Sequence, residues 1–151
     1  MSDPSQALDA DRVDRVDRAP SVDSVAQAIA AVPYFAFLGL QARLVGDEVV
    51  VVLAAAARHI GDAGRSSLHG GVLAAFLEAA AHTHLRVRNA GVPMTTVEFT
   101  TAFVREAAVG DTFASVCVVR MGHHFAHVRV DAWQGDRASA VAVGHGTFHR
   151  G

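Results

Sequence analysis

The sequence predicts one α+β domain in which an antiparallel sheet of about six strands wraps around a single long helix. Three observations point there. Strand-like segments are separated by short Gly-containing turns. One segment, Gly70 to Arg88, has helical character and is apolar nearly all round. A helix without a polar face must be buried on most sides, so the strands have to curve around it.

Taken in order, residues 1–22 repeat Asp-Arg-Val between Pro4 and Pro20 and carry few apolar side chains, which predicts a mobile tail before a domain of residues 23–151. A short helix is expected from Asp23, capped by Asp23 or Ser24, with Val25, Ala28 and Ile29 on its apolar face and Pro33 ending it. Tyr34 to Leu38 is apolar and aromatic and should lie against the core. Strands Leu40–Val45 and Glu48–Leu53 flank Gly46-Asp47, a hairpin signal. Ala54 to Ser67 holds few strand formers and reads as a long connection, the kind that is often functional. The long helix follows, stopped by Asn89, Gly91 and Pro93, with Arg86 and Arg88 near its C-terminus where the helix dipole favours cations. Four strands close the chain: Met94–Val104, Thr112–Arg120, Phe125–Trp133 and Ala138–Phe148. A sheet wrapped round one central helix in this way describes a hotdog fold, and the pattern alone also fits other α+β sheets.

Composition narrows the function. Of 151 residues, 51% are hydrophobic and 19% charged, which places the chain among globular proteins. The net charge of −2, with no basic block, argues against nucleic-acid binding. No apolar run is long enough to span a membrane, and the N-terminus lacks a signal-peptide pattern. One cysteine, Cys117, allows no intrachain disulfide. The expected location is the cytoplasm.

The chemistry concentrates at the start of the long helix. Leu68-His69-Gly70-Gly71 precedes it, and Glu78 is the only acid between Asp62 and Glu98. The first turn of a helix presents unpaired N–H groups and partial positive charge, and glycine leaves room for a ligand to approach. Such a site suits a carbonyl oxygen that becomes an oxyanion. Burying a lone carboxylate is costly, so Glu78 is either paired structurally or functional. Gly71, Ala74, Ala75, Glu78 and His82 share one helix face at helical spacing. A carboxylate there could activate water or attack an acyl carbon directly.

At these residues the chain resembles PaaI-type hotdog thioesterases. Their signature is His-Gly-Gly, then six residues, then an acid, and His69-Gly70-Gly71 with Glu78 matches it. Val32-Pro33-Tyr34, Leu38-Gly39-Leu40, His59-Ile60-Gly61-Asp62, Thr96-Val97-Glu98-Phe99, Phe103-Val104-Arg105 and Trp133-Gln134-Gly135-Asp136-Arg137 extend the likeness over residues 25–150. The resemblance implies an acyl-CoA thioesterase without a cofactor, coenzyme A being part of the substrate. It implies Glu78 as nucleophile or general base and the Gly70 amide, with that of Gly71, as the oxyanion site. By the same resemblance, Thr96 would fall near the attacking water and His82 would line the acyl pocket. Arg105 and the Gly122-His123-His124 turn fall where the family meets the CoA phosphates and nucleotide, and His69 would help to shape that site. A homodimer or homotetramer is implied, with the site between subunits. In one respect the chain departs from the pattern: where many members carry Asn or Gln across from the acid, it reads Asp62-Ala63-Gly64, so the catalytic partner of Glu78 is either Asp62 or missing.

Two other functions compete with hydrolysis. One is a hotdog hydratase or dehydratase of enoyl or 3-hydroxyacyl thioesters, for which His59 or His69 would be the histidine paired with the acid. The other is a non-catalytic acyl-CoA-binding protein. The nine histidines show no convincing metal-ligand spacing, so no metal is expected. Cys117 reads as a small buried hydrophobe in its strand. Ser66 and Ser67 lack the Gly-x-Ser-x-Gly elbow of a serine hydrolase. Phe76, Leu77, Phe99 and Phe103 read mainly as core residues.

Overall fold

The computed structural model describes residues 19–151. The tail expected over residues 1–22 therefore lies mostly outside the described residues, and its last two positions cap and begin the first helix. That helix, α1 (Val22–Ala30), begins earlier than expected because Ser21 caps it. The Ser24 N–H donates to Ser21 Oγ at 3.1 Å, and the Ser21 N–H donates to Ser24 Oγ at 2.9 Å. Two orphan amides are satisfied reciprocally, with Ser24 as the second half of the box rather than the cap itself. Val25, Ala28 and Ile29 are buried, as the spacing predicts.

Pro33 does more than end α1, since it opens α2 (Pro33–Leu38). Proline suits a first helical turn because its missing N–H would have no partner there. Gly39, at φ 76°, ends α2 in the left-handed region that glycine adopts without strain. Phe35 and Leu38 turn inward; Tyr34 and Phe37 remain exposed.

Strands β1 (Leu40–Val45) and β2 (Glu48–Leu53) form the expected hairpin. Residues 54–67 are more ordered than their composition suggests. They contain a 3₁₀ turn (Ala57–His59) and strand β3 (Ile60–Asp62), which pairs with β4 (Ser67–Leu68) in a small separate sheet. This sheet delivers the chain to the central helix α3 (Gly70–Arg88).

Strands β5 (Met94–Phe103), β6 (Thr112–Met121), β7 (Phe125–Trp133) and β8 (Ala140–Arg150) complete the main sheet. Its order is β1-β2-β6-β7-β8-β5, and every pairing is antiparallel. The sheet wraps α3, whose Leu73, Phe76, Leu77, Ala80 and Leu85 are buried against Val128, Val130, Ala142 and Phe148. Each such large apolar side chain contributes roughly 1.5–3 kcal/mol by leaving water. This is the hotdog architecture. Cys117 departs from expectation: it is exposed, because the alternation of β6 turns it to the outer face of the sheet.

Candidate active site

One face of α3 escapes the sheet. It is covered by α1 and α2, and between them lies a pocket of about 350 Å³. Ala75, Ala79 and Thr83 of α3 line it with Ala28 and Val32. Tyr34 and Phe35 supply its aromatic wall, and Pro93 and Met94 close it beyond the helix. Small residues at Ala75 and Ala79 create the space. Three polar side chains reach into this apolar wall at helical spacing: Glu78, His82 and Arg86.

Glu78 is positioned from a neighbouring strand. The Thr96 hydroxyl, near the start of β5, donates to Glu78 Oε1 at 2.7 Å. His82 Nε2 lies 2.7 Å from the same Thr96 oxygen and 3.9 Å from Glu78 Oε1. A hydroxyl has one proton to give, and here the carboxylate takes it. Thr96 must then accept from His82, which assigns the imidazole proton to Nε2. Burial pushes the His82 pKa down, against the opposing pull of the Glu78 charge, so the ring is neutral near pH 7. The ring is also fixed by packing edge-on against Phe148 at 5.0 Å between centroids. The result is a chain of hydrogen bonds that holds one carboxylate oxygen and leaves Oε2 without a partner among the described residues.

At the other end of the motif, His69 caps α3: the Gly71 N–H donates to His69 Nδ1 at 2.9 Å. That donor is thereby occupied, and the Gly70 N–H has no hydrogen-bond partner among the described residues. The Phe103 ring from the end of β5 lies against Gly70, at 3.5 Å from where a Cβ would stand. Asp62 turns back on its own loop, accepting from the Gly64 N–H at 2.9 Å and pairing with Arg65 at 3.6 Å.

The expected site residues thus fall into groups. Glu78, Thr96 and His82 come together. Gly70, Gly71 and His69 gather at the helix start, about 12 Å along α3 from Glu78 at 1.5 Å per residue. Arg105 follows β5, and its N–H bonds to the Val141 carbonyl at the start of β8. His123 and His124 lie at the opposite end of β8, where the His124 carbonyl accepts from the Arg150 N–H. Roughly 30 Å of strand separates Arg105 from this histidine pair within one chain. His59 is buried at 1% exposure, and burial, reinforced by the Arg58 charge, lowers its pKa. No cluster of three or more potential metal ligands occurs among the described residues. Arg86 and the α1–α2 wall of the pocket were not anticipated as site elements. The signal for Arg86 was available in the spacing Glu78, His82, Arg86.

The family model of the thioesterase superfamily matches residues 66–141, half of the chain, from the turn before His69-Gly70-Gly71 to the start of β8. The chain belongs to the thioesterase superfamily. Among solved structures, this member is similar to a mutant of the phenylacetic acid degradation protein PaaI from Thermus thermophilus. The two share 26% identity at a TM-score of 0.65, over 79% of this chain and 99% of that one. Zebra fish thioesterase superfamily member 2 shares the fold at a TM-score of 0.72 and 22% identity, over 88% of this chain and 100% of that one. A phenylacetic acid degradation-related protein of Ralstonia eutropha does so at 0.67 and 20%, over 84% and 99%. No curated protein matches the chain in sequence. Together these place it with the PaaI-type hotdog thioesterases. No helix among the described residues is long and apolar enough to cross a membrane.

Proposed function

We propose that the protein hydrolyses acyl-CoA thioesters to a carboxylic acid and free CoA, with Glu78 acting at the thioester carbonyl. The observation that carries this reading is the Glu78 carboxylate itself. It stands in the wall of an apolar pocket, one oxygen held by Thr96 and the other unengaged among the described residues. A carboxylate so fixed can take a proton from water as the water oxygen bonds to the carbonyl carbon. The tetrahedral intermediate then expels the thiolate, which takes up the proton. Direct attack by Oε2 would instead break the C–S bond, releasing CoA as thiolate and leaving a mixed anhydride that water then opens to the acid and free Glu78.

The oxyanion needs a donor. Gly70, at the positive end of α3, has the free amide. Glu78 and Gly70 of one helix stand about 12 Å apart, too far to meet on one carbonyl. A homodimer resolves this. Thr96, which holds Glu78, lies near the start of β5, and Phe103, which covers Gly70, lies at its end. Antiparallel pairing of β5 with its copy, centred between Phe99 and Thr100, would bring Thr96 of one subunit opposite Phe103 of the other. Glu78 would then act on a carbonyl bound by Gly70 of the partner subunit. The same pairing would let Arg105 and the His123–His124 turn of different subunits serve one CoA.

Thiol release measured over a panel of acyl-CoAs tests the reading. Wild type should turn over, Glu78→Gln should lose on the order of a thousandfold or more in kcat, and Thr96→Val roughly tenfold, with Thr96→Ser restoring most of it. Equal slow hydrolysis by wild type and Glu78→Gln, or addition of water to crotonyl-CoA without CoA release, would overturn it.

A further inference from the structure

The pocket wall has a charge pattern that says something about the acyl group. Glu78 stands toward one end and Arg86 toward the other, eight residues on along the same face of α3. At 1.5 Å per residue their Cα atoms are ~12 Å apart. The wall between and around them is otherwise largely apolar, formed by Ala28, Val32, Phe35, Ala79 and Met94.

Arg86 differs from the other arginines. Arg43, Arg65, Arg129 and Arg137 pair with carboxylates, Arg58 and Arg150 with carbonyl oxygens, and Arg88 with His84. Arg105 and Arg120 stand in solvent. Among the described residues, Arg86 alone combines partial burial with a guanidinium that makes no hydrogen bond or ion pair. The helix dipole accounts for a cation in the last turn. It does not account for one left unpaired in the wall of an apolar pocket, where lost hydration must be replaced by a partner.

We propose that the acyl group carries a carboxylate at its far end, which Arg86 binds. This rests on the reading of Glu78 as the residue that acts on the thioester. The substrate class is then the mono-CoA thioester of a dicarboxylic acid. A guanidinium matches a carboxylate with two parallel hydrogen bonds, and the apolar wall takes the methylenes or ring between. Glu78 adds discrimination by repelling an anion close to the thioester, so a short chain such as malonyl is disfavoured. A chain long enough to bring its anion within reach of the extended Arg86 side chain places it there instead.

The test compares adipoyl-CoA with its uncharged counterpart hexanoyl-CoA. In thiol release, wild type should favour adipoyl-CoA in kcat/KM by roughly ten- to a hundredfold. Arg86→Met should bring the ratio close to one, through KM for adipoyl-CoA, and Arg86→Lys should keep part of the preference. A wild-type preference for hexanoyl-CoA, or an equal loss on both substrates in Arg86→Met, overturns the proposal; the latter would mean Arg86 serves CoA itself. Calorimetric binding of both thioesters to the Glu78→Gln protein reads recognition without turnover. Selective binding of adipoyl-CoA, lost in the double variant with Arg86→Met, would support the proposal even if wild type hydrolysed nothing. Hydrolysis of hexanoyl-CoA with no selectivity in either assay would overturn it and leave the hydrolase reading standing.

Discussion

His84 lies two residues past His82, on a different face of α3, and serves stability rather than the site. Its Nε2 accepts from Arg88 Nε at 3.0 Å. Burial, reinforced by the Arg88 charge, pushes its pKa down from 6.5 to about 4. Protonation would turn that acceptor into a donor facing a guanidinium. The unfolded chain protonates this histidine near pH 6.5, whereas the folded chain resists until about 4. Folding stability is therefore full above pH 6.5 and falls as the pH drops toward 4, by roughly 3 kcal/mol in total from this group. Burial shifts His82 and His59 in the same direction, adding to the slope. His84→Gln keeps an acceptor for Arg88 and carries no titrating proton. Urea midpoints at pH 7 and pH 4.5 should show a smaller drop for this variant than for wild type, and equal drops would refute the assignment. At this scale the sequence exposes chemistry unevenly. Glu78 stands out as a lone acid on an apolar helix, and Thr96 and His82 could be named beside it. Arg86 was masked because the helix dipole already explains an arginine there. The fate of the Gly71 amide was hidden too, since it depends on which way the His69 ring turns.

The elements were legible wherever periodicity was strong. The hairpin, the long helix and four strands fall close to the positions that alternation and turn residues imply, because those patterns follow from which face meets the core. Short elements with mixed composition were not legible. Strands β3 and β4 have only three and two residues, and their pairing depends on long-range geometry rather than local preference. What the pattern also could not show is why β8 carries Gly144 and Gly146. Both face α3, beside Ala142 and Phe148, and both make room for the Phe99 ring. A Cβ on Gly146 would come within 2.6 Å of Phe99 and 2.7 Å of Phe148. These are rigid rings in a closed core, so the strand or the rings must shift. Gly146→Ala should destabilise the fold by about 1–3 kcal/mol in urea unfolding. Adding Phe99→Leu, which vacates part of that space, should recover some of the loss. A Gly146→Ala protein as stable as wild type would mean the rings move freely, contrary to the close packing of the core.

At the scale of the molecule, one edge of the sheet stands open. Strand β5 pairs only with β8 among the described residues, and its other edge carries no partner. Val97 is 59% exposed, Phe103 57% and Val104, just past the strand, 53%. An edge both unpaired and apolar is a template for another strand, and proteins that remain monomeric protect such edges with charge. Its two ends are also the two places where the site divides: Thr96 with Glu78 near one, Phe103 with Gly70 at the other. Self-pairing of β5 would cover the apolar edge and complete the proposed site in one step, which would make assembly and activity a single property. The double variant Val97→Lys with Val104→Lys places charge on the edge and leaves Glu78, Thr96 and Gly70 unaltered. Sedimentation should show wild type as a dimer or larger and the variant as a monomer with unchanged circular dichroism. Thioester hydrolysis should fall by roughly a hundredfold or more, the cost of losing an oxyanion donor. Raising the variant's concentration should restore activity in step with re-formed dimer. A monomer that hydrolyses at the wild-type rate would show that Glu78 finds its oxyanion donor within its own chain, and the two-subunit site would be wrong.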